Sequence, residues 1–376
     1  MQLTFDAVLE PEPGARWQAL FARAWPGWRA WYLARGGNPH PRLDVAERAL
    51  RRHMPELERP WRHLVALAGG GELAANFLTF WCPPPYLIHC AQAVLLHEDG
   101  PLLVRNYDLD PKLSESTVLC SSWTGRKVIA TMEGIAGAAD GINDAGLAVS
   151  LTFGGRRVTG TGFGIPLIIR YLLEVCDRTA DAVAVLRRVP SHMSYNVTIV
   201  DRAGEVATVF VAPDRPAIVT RRQVTTNHQQ RVEWPEQARF SRTVEREAHL
   251  SRLLEDRRLT PRQLVRSFLA RPLFSTNYAG GFGTVYTAAY RPAEAAMAMH
   301  WPGQPPWEQR CEDFREGQRL VHYRNGGIGR PAARAPGGLP EPFIAALADG
   351  LRRPASAAWE RLGQVWSASH HEWRRD

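Results

Sequence analysis

The chain has 376 residues, 45% of them hydrophobic and 22% charged. That is ordinary globular usage, which excludes disordered, collagen-like and coiled-coil classes, and the length predicts about two to three structural units. Basic residues exceed acidic ones by eight, yet only Lys112 and Lys127 are lysines and the arginines are scattered from Arg16 to Arg375. No basic stripe forms, so no nucleic-acid partner is expected.

Cysteines stand at 82, 90, 120, 176 and 311 with no CxxC pair, which argues against a disulfide framework or a zinc knuckle and for the reduced thiols of a cytoplasmic protein. The N-terminus lacks a basic region leading into an apolar run. No stretch approaches the roughly 18 apolar residues of a spanning helix, so no membrane partner is expected.

Residues 13 to 80 carry apolar positions at helical spacing, Trp17, Leu20, Phe21, Trp25, Trp28 and Trp31, then Leu43, Ala46 and Leu50. The stretch reads as helical, with the tryptophans as packing residues rather than a cofactor box. Pro26, Gly36, Gly37 and Gly69-Gly70-Gly71 are expected to punctuate it. At Cys82-Pro83-Pro84-Pro85 the pattern stops, because proline is excluded from helix interiors and pushes the preceding residue into extended backbone.

Beyond that boundary the period changes. AQAVLLHEDGPLLVRNYDLD sets two apolar runs around Asp99-Gly100, a hairpin signal, and GINDAGLAVSLTF repeats the device over Asn143 to Gly146. GIPLIIRYLLEVCDRTADAVAVLRRV reads as two helices broken near Thr179. After Pro190, YNVTIVDRAGEVATVFVA, AIVTRRQVTTNH, GGFGTVYTAAYRP and AAMAMHW are β-rich, with residues 240 to 271 helical between them. Strands with helices laid against them predict an α+β fold. The expected organisation is a helical segment 1–89, a main unit 90–323 and a tail 324–376, a Gly/Pro-rich linker with a helix over about 341 to 366.

Several motifs fall away. GTGFG at 160 to 164 lacks the strand context and spacing of a dinucleotide fingerprint, and reads as a flexible pocket loop. GGFGTVY at 280 to 286 imitates a kinase glycine loop, but no lysine follows Lys127. There is no GxSxG or HExxH, and His370-His371 reads as surface. No metal and no cofactor are expected.

Cys90 begins the first strand of the β-rich region, where a chain break would expose it as a nucleophile. Arg105 and Asp108, in RNYD, lie on the return strand of the same hairpin. Being odd and even, they need a bend or a strand end to share a site. Alone, a buried cysteine starting a strand is structural more often than catalytic, and Arg105 with Asp108 reads equally as a strand-end salt bridge.

Taken with the other segments in order, they resemble the cysteine N-terminal nucleophile (Ntn) hydrolases of the isopenicillin N acyltransferase kind, and more distantly the bile-salt (choloylglycine) hydrolases and penicillin V acylase. The resemblance covers about residues 78 to 302: Cys90, RNYD, GINDAGLAVSLTF, RYLLEVCDRTADAVAVLRRVP, YNVTIVD, TTNH, FSRTVERE and GTVYTAAYRP. It implies a four-layer αββα sandwich with a helical pro-segment, and a precursor that cuts itself between His89 and Cys90.

The freed α-amine would be the general base of Cys90, since such amines titrate at roughly 7.7 to 8.0. The resemblance makes Asn227 an oxyanion donor together with a backbone N–H of Gly154-Gly155. Asp108 would orient the amine, and Arg105 would stabilise the thiolate or a substrate carboxylate and lower the thiol pKa. Arg242 would stand behind the site, and Asn196 is expected to bond backbone at a strand start.

The implied partner is a small acyl substrate, an acyl-CoA or an N-acyl amine with an apolar acyl group, passed through Cys90 to water or another amine. His89 replaces the usual glycine and Ala91 a common hydroxyl residue. Bulk at the scissile bond is expected to slow the N-to-S acyl shift. If the chain stays intact the Cys90 nitrogen is an amide, and His89 would have to serve as base instead; the alternative function is an unprocessed, non-catalytic ligand-binding module.

Overall fold

In the computed structural model, which describes residues 1–33, 41–85, 87–278 and 282–323, the chain opens with a strand, β1 (Gln2–Leu9), that buries Phe5 and Ala7. The helical segment expected over 1–89 therefore begins with a strand, ahead of the stretch 13–80 read as helical. Helices follow: α1 (Ala15–Leu33), α2 (Leu43–His53), α3 (Glu58–Leu67) and α4 (Glu72–Leu78). Pro26 does not end a helix, since α1 runs through it. Gly69 and Gly70, at φ 90° and 73°, do separate α3 from α4. Trp17, Leu20, Phe21, Ala46 and Leu50 are buried as their spacing predicted, while Trp25 and Trp28 lie half-buried against Phe77.

The first hairpin is β2 (His89–His97) and β3 (Gly100–Leu109), paired from His97↔Gly100 to His89↔Asp108, with Gly100 at φ 107°. Next come β4 (Thr117–Ser121), β5 (Val128–Glu133), β6 (Gly137–Asn143) and β7 (Ala148–Phe153). The turn expected over Asn143 to Gly146 joins the last two, with Gly146 N–H donating to the Asn143 carbonyl at 2.9 Å. Helices α5 (Ile165–Val175) and α6 (Thr179–Arg188) break where expected.

Four strands, β8 (Tyr195–Val200), β9 (Val206–Ala212), β10 (Arg215–Thr220) and β11 (Val224–Thr225), lead to α7 (Pro235–Phe240), α8 (Thr243–Glu255) and α9 (Pro261–Phe268). The described chain finishes with β12 (Thr276–Asn277), β13 (Phe282–Arg291), β14 (Ala296–His300), β15 (Trp307–Arg310) and β16 (Gly317–His322). The expected tail, 324–376 with its linker and helix, lies outside the described residues.

The strands form two sheets, ordered β10-β9-β8-β7-β6-β5-β4-β1-β16 and β11-β2-β3-β13-β14-β15, with β12 on β13. β1 sits parallel to β4 and antiparallel to β16, so the N-terminal segment is built into the larger sheet. The sheets meet face to face, with α5 and α6 on the outer face of the larger and α8 and α9 on that of the smaller. This is the expected α+β, four-layer αββα order. Alternation along β2 and β3 divides their side chains: Cys90, Val94, Leu103 and Tyr107 join the core between the sheets, and Ala91, Ala93, Leu102 and Val104 pack under α8 and α9.

Candidate active site

Cys90 and Arg105 point inward on the same face of the hairpin. Arg105 Nη2 lies 2.7 Å from Cys90 Sγ, while Nη1 donates to the Ala139 carbonyl at 2.9 Å and pairs with Asp140 of the facing sheet. Asp140 is held in turn by the hydroxyls of Tyr286 and Thr131, both at 2.8 Å, and by that of Tyr290. Cys90 is fully buried, and burial pushes its thiol up to about 12, with Arg105 pulling the other way and Asp108 adding to the rise. Desolvation thus outweighs the pull of Arg105 on the thiol.

Asp108 faces the opposite side, toward α8, so no bend brings it to the face of Arg105. The two faces meet instead at the strand end, around the backbone of residues 89 and 90. Asp108 Oδ2 accepts from Arg246 Nη1 at 3.0 Å and Oδ1 from Thr284 Oγ1 at 2.7 Å. Burial lifts the Asp108 carboxyl, opposed by Arg246 and Thr284.

Asn227 completes the strand end. β11 pairs with β2 through Thr225↔Gln92, and two residues further along that antiparallel run residue 227 comes level with Cys90. Asn227 Oδ1 accepts from the Cys90 N–H at 3.2 Å and from Arg246 Nη2 at 2.6 Å. With its oxygen engaged, the buried Nδ2 has no acceptor among the described residues. A preorganised, unspent donor is what an oxyanion needs.

Arg246, not Arg242, is the arginine behind the site. Arg242 caps the start of α8 in the left-handed region, φ 50°, and is exposed in an ion pair with Glu245. One helical turn later Arg246 is buried and bridges Asp108 to Asn227. Both residues occur in FSRTVERE, and only the pitch of α8 decides which one faces the sheet. Asp140 and Thr284, which fix Arg105 and Asp108, carried no signal in the sequence.

Gly154 is also corrected as an oxyanion donor, since its N–H is spent on the Ser194 carbonyl at 2.9 Å. Gly155, at φ 67°, packs so closely on Asn227 that a Cβ there would strike its carbonyl oxygen. Asn196 has the backbone role expected of it: its Nδ2 donates to the Thr226 and His228 carbonyls, both at 2.9 Å. His89 packs between Phe240 and Phe282, ring centroids at 5.2 and 4.6 Å. Burial and Arg246 bring it down to about 3, so it cannot take a thiol proton near neutral pH.

A small apolar cavity is lined by Tyr195 with Trp28, Trp31, Phe80, Ile165 and Met193. In the GTGFG run, Gly162 packs on the Ser191 backbone and Gly164 on Phe80, and Gly164 also lines the cavity.

Residues 95–305 match the family of acyl-coenzyme A:6-aminopenicillanic acid acyl-transferase. The chain belongs to this family. The match covers more than half of the sequence and takes in Arg105, Asp108, Asn227 and Arg246, beginning five residues after Cys90. Family membership makes the protein an enzyme of the acyl-transfer kind.

Among solved structures, the chain is similar to a mutant of conjugated bile acid hydrolase from Clostridium perfringens (11% identity, 64% of this chain and 99% of that one, TM-score 0.44). It is also similar to a Caenorhabditis elegans N-acylethanolamine-hydrolyzing acid amidase ortholog (15%, 62% and 100%, 0.41) and to penicillin V acylase from Agrobacterium tumefaciens (14%, 59% and 86%, 0.40). No curated protein sequence matches it. Among the described residues no helix is long and apolar enough to cross a membrane.

Proposed function

We propose that the protein is a self-processing cysteine Ntn enzyme that transfers or hydrolyses the acyl group of a small N-acyl or thioester substrate through a Cys90 acyl-enzyme. The side chains linked around Cys90 carry this reading: Arg105 on Sγ, Asn227 Oδ1 on the Cys90 nitrogen, and Arg246 joining Asn227 to Asp108.

In processing, Sγ attacks the His89 carbonyl carbon. The His89–Cys90 C–N bond breaks as nitrogen takes the thiol proton, and water hydrolyses the thioester to a His89 carboxylate and a free Cys90 thiol. The new α-amine then takes that thiol proton, with Asp108 holding the ammonium form. When Sγ attacks a substrate carbonyl, the oxyanion is met by Asn227 Nδ2 and the Gly155 N–H, and the leaving group carries off the proton. Water or a second amine releases the acyl group.

Denaturing mass spectrometry of the wild type beside Cys90→Ala tests this. Two fragments divided before Cys90 in the wild type, and one intact chain in the variant, are expected. Intact chains in both would overturn the α-amine mechanism and leave the binding-module reading.

A further inference from the structure

Two consecutive residues after β11 meet two consecutive residues of α8. Asn227 takes Arg246, and the next residue, His228, takes Glu247, with His228 Nε2 3.1 Å from Glu247 Oε2. The other ring nitrogen, Nδ1, lies 2.9 Å from Thr243 Oγ1 in the first turn of the same helix. A carboxylate only accepts, so Nε2 carries the hydrogen. Thr226, on the other side of Asn227, is tied to that turn as well, its Oγ1 donating to the Thr243 carbonyl at 2.9 Å.

We propose that His228 and Glu247 are a positioning pair for Asn227, holding its Nδ2 where the oxyanion forms. Asn227 Oδ1 is held by Arg246, whose guanidinium also serves Asp108, and by the Cys90 N–H, which belongs to the bond proposed to break, so neither bond holds the amide independently of the site. The His228 ring pins the adjacent backbone to α8 at two points, Thr243 and Glu247, one turn apart. An oxyanion donor keeps its effect only when held within about half an ångström of its place. Neither residue touches the reacting atoms. The role assigned to Nδ2 rests on the proposed function, whereas the clamp on Asn227 does not.

The test separates the two. The chain has eight asparagines, so selective 15N-asparagine labelling of the Cys90→Ala chain, which stays intact, gives a readable set of side-chain amides, with Asn227 assigned by Asn227→Asp. In the reference chain the Asn227 amide is expected as one sharp pair. His228→Ala and Glu247→Ala each shift or broaden it, and Glu247→Gln, which keeps an oxygen acceptor for Nε2–H, restores it. With Cys90 present, the processing rate after cell-free synthesis, followed by intact mass, falls roughly tenfold or more in both alanine variants. Glu247→Gln stays within about threefold of wild type, and the double variant is no worse than the weaker single one.

An Asn227 signal unchanged in His228→Ala, or a Glu247→Gln as impaired as Glu247→Ala, would overturn the positioning role. A wild type that does not process defeats the proposed function, and the amide spectrum still decides the clamp.

Discussion

Arg246 Nη1 lies 3.0 Å from Asp108 Oδ2, a buried ion pair joining α8 to the end of β3 across 138 residues of sequence. The same guanidinium holds Asn227, so one side chain couples the residue expected to orient the amine to the residue expected to meet the oxyanion.

Removing one or the other arginine of FSRTVERE therefore has very unequal consequences. Arg246→Ala leaves a buried carboxylate without its cation and is expected to cost about 3 to 5 kcal/mol and to abolish processing. Arg242→Ala loses an exposed pair and is expected to stay within about 0.5 kcal/mol of wild type. Denaturant unfolding with intact-mass analysis checks both, and equal effects would return the role to Arg242.

Arg105 draws the buried thiol down. Arg105→Met is expected to raise the thiol pKa further, moving the pH dependence of processing to higher pH. The rate should climb about tenfold per pH unit below that pKa, as the thiolate fraction does. Arg105→Lys keeps a charge without the fork and is expected to recover part of the shift. Asp140 retains its three hydroxyl donors in either variant. Superimposable profiles for Arg105→Met and wild type between pH 7 and 10 would remove Arg105 from control of the thiol.

The aromatic seat of His89 holds the residue whose carbonyl would turn toward Sγ in the proposed processing. His89→Gly is expected to speed processing several-fold and to lower the precursor's melting temperature, because the ring contacts are lost and glycine frees the backbone. Timed mass spectrometry and thermal melts read the two effects. A slower precursor would mean that the seat aligns the bond rather than restrains it.

Glu115 lies buried beneath α1, its Oε1 accepting from Trp28 Nε1 at 2.9 Å and from the Ile135 N–H at 2.7 Å. Burial raises its carboxyl to about 7, against the pull of Ile135, Trp28 and Arg23. The folded state thus keeps a proton that the unfolded chain releases, and stability falls as pH rises from about 4.5 to about 7. Glu115→Gln is expected to match wild type near pH 4.5 and exceed it at pH 8 by on the order of 3 kcal/mol. Unfolding curves at the two pH values decide; a constant difference would disconnect Glu115 from the pH dependence.

The sequence by itself determined whatever is local or strictly periodic. Alternation and Gly turns marked the hairpins, helical spacing marked α1 and α2, and RNYD, TTNH and FSRTVERE in order placed the chain in its family. What depends on a distant partner was decided only by the tertiary structure. β1 is a strand because β4 and β16 offer edges to an eight-residue run that fills no sheet alone. Arg242 and Arg246 are equivalent in the motif until α8 docks on β2 and its pitch turns one of them toward Asp108. Burial likewise sets the Cys90 thiol at about 12, because desolvation is a property of the closed sheet interface and not of any neighbour along the chain.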